Sequence, residues 1–149
     1  MDIIDVFADE ALTQRFSENG DENPNANPIN VVLNGSTGDV IELPIWVKNI
    51  STDYKLLNGQ IDMQNTGAVT VEIAADDNGV AGTYTSLPYS IGDLDSLEVV
   101  KIWLKFTVPE NTTQATINTT LNITGLVVWG GSNGVSINSW LWKRRQQSN

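Results

Sequence analysis

EVVKIWLKFTV, residues 98–108, decides the fold class. Val100, Ile102, Leu104, Phe106 and Val108 share one side of an extended chain, and Lys101, Trp103, Lys105 and Thr107 share the other. Successive side chains of a strand point to opposite faces. Strict alternation of this kind therefore predicts a strand with one face in a core and one toward water.

The same period of two runs outward from this stretch. Downstream, Ile117, Leu121 and Ile123 alternate with Asn118, Thr120, Asn122 and Thr124. Upstream, Val69, Val71 and Ile73 alternate with Thr70 and Glu72. Leu57, Ile61 and Met63 are spaced about Gly59, and Ile41, Leu43, Ile45 and Val47 oppose Glu42, Pro44, Trp46 and Lys48. Ile29, Val31 and Leu33 begin the series. Turn signals separate the runs: Asn34-Gly35, Asn78-Gly79, Gly92-Asp93 and Pro109-Glu110-Asn111. Sequence alone thus predicts six strands after residue 28, and one or two more within 82–91. Short strands with one apolar face must bury it on another sheet. The expected fold is all-β, an antiparallel two-sheet β-sandwich of the immunoglobulin-like type. The chain has no Cys, so the Cys…Trp…Cys pattern of antibody domains is absent and the likeness is architectural.

The ends read differently. Residues 1–28 are expected to form an N-terminal arm and loop, with a short strand over 2–7 and a helical turn or two over 8–16. Ser17–Pro28, rich in Asn, Gly and Pro, is expected as the linker. The sandwich domain is expected over 29–126. Residues 127–149 are expected as a C-terminal Trp-rich basic arm, containing Trp129, Trp140 and Trp142 and the consecutive Lys143, Arg144 and Arg145.

Composition narrows the function classes. A chain of 149 residues fits one domain. It has no His and no Cys, which removes the commonest general base, the commonest metal ligand and thiol chemistry. No phosphate-binding glycine motif occurs. The formal net charge of −10 repels nucleic acid and anionic membranes. No apolar run approaches the ~20 residues of a membrane span, and the acidic start MDIIDVFADE lacks the basic region of a signal peptide. Sequons at Asn34, Asn49, Asn111, Asn118 and Asn122 read as ordinary strand and turn chemistry.

Three constellations could carry chemistry. Asp76-Asp77-Asn78-Gly79 offers oxygens suited to Ca²⁺, but Asp/Asn-Gly is also the chemistry of a tight hairpin, and the EF-hand spacing is missing. Asp93 and Asp95 could pair for acid/base work, with nothing in the spacing to select them. Trp46 and Trp103 fall on the polar faces of their strands. An outward Trp needs a cover, and three covers are open: the chain's own arms, a protein partner, or a sugar ring.

FADEALTQRF (7–16), NPINVVLNGSTGDVIELPIWVKN (27–49), IAADDNGVAGTY (73–84), IWLKFTVPENTTQ (102–114) and TTLNITGL (119–126) resemble small tailed-bacteriophage virion structural proteins with an immunoglobulin-like β-sandwich. Trp103 to Thr112 is the most telling piece. Residues 127–149 lie outside the resemblance. It implies a capsid decoration protein or a neck, tail or baseplate adaptor, assembled in the host cytoplasm and acting without catalysis or cofactor. The partners it implies are other virion proteins, copies of this chain among them, with no nucleic acid and no membrane. The interface candidates are Trp46, Trp103, Trp129, Trp140, Trp142, Lys143, Arg144 and Arg145. The alternative is a carbohydrate-binding β-sandwich module that stacks a glycan on Trp46 and Trp103.

Overall fold

The computed structural model describes residues 3–16, 27–63, 67–113 and 115–130. Ten strands follow in chain order: β1 (Ile4–Phe7), β2 (Asn27–Leu33), β3 (Asp39–Asn49), β4 (Tyr54–Met63), β5 (Thr70–Asp77), β6 (Val80–Ala81), β7 (Thr85–Ser86), β8 (Tyr89–Leu94), β9 (Val99–Val108) and β10 (Ala115–Trp129). Among the described residues there is no helix.

Two antiparallel sheets face each other, so the sandwich expected from the alternation is present. One sheet runs β1-β3-β9-β5, with β6 and β7 both pairing the outer edge of β5; the other runs β2-β10-β4-β8. Ile45, Val47, Ile73, Ile102, Leu104 and Phe106 from the first sheet meet Leu33, Leu56, Ile61, Leu94, Leu121 and Ile123 from the second, all nearly inaccessible to water. Burial of apolar area is the main force holding such layers together, at roughly 25 cal/mol per Å².

The pairing departs from the immunoglobulin pattern. There, neighbours in sequence such as strands A and B share a sheet. Here the connections β2–β3, β3–β4, β4–β5, β8–β9 and β9–β10 all pass from one sheet to the other. The orders β2-β10-β4-β8 and β3-β9-β5-β7 are those of a jelly roll, the eight-stranded double Greek key. Alternation reports which face a residue takes and is blind to which strand lies beside it, so both folds predict the same pattern.

Two boundaries also move, and the expected helical turn is absent. Residues 1–28 were expected outside the sandwich, but Ile4–Phe7 pairs with Trp46–Asn49 at the edge of the larger sheet and all four residues are buried. Ala8–Phe16 is not helical. It turns back, with the Ala8 N–H donating to the Gln14 carbonyl and a β-bridge between Phe7 and Arg15. At the other end the sandwich does not stop at 126, since β10 continues to Trp129 beside Tyr54. Residues 131–149, with the expected basic arm, lie outside the described residues, as does most of the 17–28 linker.

Within β4 the phase changes. Leu56, not Leu57, enters the core. Asn58 takes a positive φ of 54° and the ladder slips at Asn58–Gly59. Glycine fits at 59, because a Cβ there would lie 2.8 Å from Leu56 Cδ2, 2.9 Å from Ile91 Cγ1 and 3.0 Å from the Gly92 carbonyl oxygen, and these neighbours would have to give way. A bulge of this kind adds one residue and flips the faces beyond it.

Candidate functional site

The outer face of the six-stranded sheet is built from rows of facing residues. Phe7, Trp46 and Lys101 are in register across β1, β3 and β9. The next row holds Pro44, Trp103 and Ala74, and the third Glu42, Lys105 and Glu72. Alternation on three adjacent strands therefore brings Trp46 and Trp103 together, diagonal to one another across β3 and β9.

Lys101 binds the pair. Its Nζ lies 5.2 Å from the Trp46 ring centroid and 5.0 Å from that of Trp103. The same ammonium is 3.6 Å from Asp76 Oδ1, and the Trp103 Nε1–H donates to that oxygen at 2.9 Å. A cation within about 6 Å of an aromatic centroid is attracted to the ring face. Each group fixes another: Asp76 holds the indole of Trp103 and the ammonium of Lys101, and Lys101 holds both rings. The Trp103 hydrogen bond is the main influence keeping the Asp76 carboxyl below its ordinary range, helped by the Gly79 N–H and Lys101. A depressed carboxyl contributes stability above its unfolded value of 3.8, and this is lost as pH falls through the lower folded value. The cluster therefore stays charged at neutral pH. Both tryptophans remain half-buried.

The acidic turn beside it is a hairpin. Asp77 pairs Val80, and Asn78 and Gly79 take φ of 55° and 94°. Two consecutive positive φ values are what a two-residue hairpin turn needs, and Asn-Gly supplies them. Asp76 Oδ2 accepts from the Gly79 N–H at 3.3 Å. Among the described residues no group of three or more His, Cys, Asp or Glu side chains converges as metal ligands do. Asp93 Oδ1 accepts from the Asn58 N–H at 2.9 Å, in the β4 bulge, and the Asp95 N–H donates to Glu98 Oε1 at 2.8 Å. The Asp93 and Glu98 carboxylates are thus engaged in separate turns.

Tyr84, which sequence reasoning did not single out, borders the cluster. Lys105 Nζ lies 4.5 Å from its ring centroid and 3.5 Å from Glu72. The Tyr84 hydroxyl is buried with no hydrogen-bond partner among the described residues. Burial first, and then the carboxylates of Glu42 and Glu72, push its pKa up to about 12. An acid whose folded pKa lies above its unfolded value of 10.0 stabilises the fold fully below that value. The contribution is lost as pH rises through about 12. A spectrophotometric titration is therefore expected to show one tyrosine ionising near pH 12, and Tyr84→Phe to remove that step. Removing an unpaired buried hydroxyl should also leave Tm unchanged or higher. A Phe variant that melts lower would mean the hydroxyl has a partner.

The other tryptophans are elsewhere. Trp129 ends β10 on the opposite sheet, 52% exposed, with its ring edge-on to Tyr54 at 5.6 Å. Trp140, Trp142, Lys143, Arg144 and Arg145 lie outside the described residues. Of the covers considered for Trp46 and Trp103, the chain's own N-terminal strand supplies Phe7 beside Trp46, and Lys101 lies against both rings.

No protein-family model matches the chain, and comparison with curated proteins and with solved structures gives no match.

Proposed function

We propose that this chain is a non-enzymatic structural protein of a tailed-bacteriophage particle, a capsid decoration protein or a neck, tail or baseplate adaptor, working by protein–protein contact. The observation that carries the contact surface is the pinned pair Trp46–Lys101–Trp103 on an outer sheet face. Tryptophan is a typical interface anchor. Anchors held in one geometry before binding lose less freedom on binding. The phage setting rests on the resemblance, which covers most of residues 3–126. Jelly rolls occur in both viral capsid and lectin domains, and fold alone does not choose between them. The position of Lys101 favours protein over sugar, because a stacked sugar ring would have to compete with an ammonium already drawn to both indoles.

Particles purified from the phage that carries the gene are expected to contain the chain in a fixed ratio to the major capsid protein. Trp103→Ala is expected to reduce incorporation at least tenfold with the fold retained, since losing a central aromatic anchor costs about 2 kcal/mol or more. Particles free of the chain would sink the proposal. Calorimetric titration with polysaccharides, with and without Ca²⁺, is expected to give no heat; binding that disappears in Trp103→Ala would favour the carbohydrate alternative.

A further inference from the structure

One pole of the sandwich is apolar where its turns meet. Ile50 in the β3–β4 connection is 43% exposed, Leu97 in the β8–β9 turn 49%, and Val99 at the start of β9 39%. Trp129 at the end of β10 joins them. Hydrogen bonds tie these segments together. The Asn49 N–H donates to the Glu98 carbonyl at 2.9 Å, Ser96 Oγ to the Tyr54 carbonyl at 3.0 Å, and the Gly130 N–H to the Asp53 carbonyl at 2.7 Å. Leu97 has a φ of +63° at the tip of a turn closed by the Glu98 N–H and the Asp95 carbonyl. Gly or Asn takes that conformation at little cost, whereas a bulky side chain there is unusual. The turn thus presents an apolar side chain to water at a position where its own geometry favours a polar or small one.

The rim of this pole is acidic, with Asp53, Asp95 and Glu98 all exposed. Lys48 is in register with Val99, and Lys55 lies one row in from Trp129, both half-buried on β3 and β4. Two such poles repel each other, so a matching partner is apolar and basic. The chain itself contains that chemistry in Trp140-Leu141-Trp142 followed by Lys143-Arg144-Arg145. Of the formal charge of −10, these three basic residues contribute +3 and the rest of the chain −13. The last described residue, Gly130, is at this pole, and residues 131–149 follow it in sequence.

We propose that this pole is the docking seat for the segment Trp140–Arg145 of a second copy of the chain. The two tryptophans lie on Ile50, Leu97, Val99 and Trp129, and the basic run lies on the acidic rim. The proposal rests on the reading that the chain works by protein–protein contact, and it assigns the partner at a surface distinct from Trp46 and Trp103.

Two full-length variants test it by sedimentation across a concentration series. One, W140A/W142A, lacks the tail anchors; the other, I50T/L97N/V99T, lacks the seat. Wild type is expected to self-associate, more weakly as salt rises. Each variant alone is expected to lose at least tenfold in association constant. An equimolar mixture, in which intact tails meet intact seats, is expected to recover complexes containing both variants. Leu97→Asn alone is expected to keep or raise Tm while weakening association, which separates a docking role from a structural one. A wild type that stays monomeric throughout overturns the proposal, as does a seat variant that associates like wild type or a mixture that stays monomeric. Such results, with Trp103-dependent incorporation into particles retained, would leave the particle reading standing.

Discussion

Asn49→Ala is expected to lower the unfolding free energy by about 3 kcal/mol, the combined cost of stranding one buried and one part-buried backbone group at about 1–3 kcal/mol each. Asn49 is fully buried at the end of β3, in the larger sheet. Its Nδ2 donates to the Leu94 carbonyl at 3.2 Å and the Tyr54 carbonyl at 2.9 Å, at the ends of β8 and β4 in the smaller sheet. Its Oδ1 accepts from the Ser51 N–H at 2.9 Å. One amide thus crosslinks the two layers and sets the turn between them. Alanine leaves the Leu94 carbonyl and the Ser51 N–H without these partners, while the Tyr54 carbonyl keeps Ser96 Oγ. For a chain of this size 1 kcal/mol moves Tm by roughly 2–4 °C, so calorimetry should record a fall of about 10 °C. Asn49→Asp should be no better at neutral pH, because a carboxylate cannot donate to either carbonyl. An alanine variant within 1 kcal/mol of wild type would mean that water replaces the amide.

The strands were legible because each carries its face in its own sequence. In β9, Ile102, Leu104, Phe106 and Val108 are buried as the alternation requires. Two features escaped it for different reasons. In β1 both faces are covered, so Asp5 and Phe7 are as buried as Ile4 and Val6 and no alternation exists to see. The jelly-roll pairing escaped because its sheet-crossing connections are short. Ile50–Asp53, which passes from β3 to β4, has the length of a hairpin loop although the strands it joins lie in opposite sheets.

The tryptophan pair was half legible. Period two put Trp46 and Trp103 on outward faces, but only the register Trp46–Lys101 and Pro44–Trp103 makes them neighbours. Asn49 left a signal that was available. It follows Ile45 and Val47 on the apolar phase of β3, and a polar residue on that phase marks a buried hydrogen-bonding group. Tyr84 left none, since its burial depends on where β6 and β7 fold against β5.

Arg15→Ala is expected to be the costliest change at the sheet edge. Asp5 is 2% exposed on the outward side of β1, with Oδ1 accepting from the Val6 N–H at 3.0 Å and Oδ2 paired to Arg15 Nε at 2.5 Å. Burial raises the Asp5 pKa above its ordinary value in spite of the guanidinium. Removing one partner of a fully buried pair costs about 3–5 kcal/mol, and the 43% exposure of Arg15 reduces this to roughly 2–3 kcal/mol. The reverse change should be mild: Asp5→Asn keeps the acceptor for Val6 and returns the guanidinium to water. The pH dependence separates the two. A carboxyl with a raised folded pKa contributes stability that is present below 3.8 and lost as pH rises through the folded value. Protonated Asp5 needs no cation, so the Arg15→Ala deficit measured by urea unfolding should shrink from pH 7 to pH 4. An equal deficit at both values, or an Asn variant as unstable as the Ala variant, would refute the assignment. The consequence reaches the tryptophan face, because the same turn bridges Arg15 to Phe7, and Phe7 is the residue in register beside Trp46. A loosened edge should therefore free the Trp46 ring and weaken binding there, even though Arg15 touches neither tryptophan.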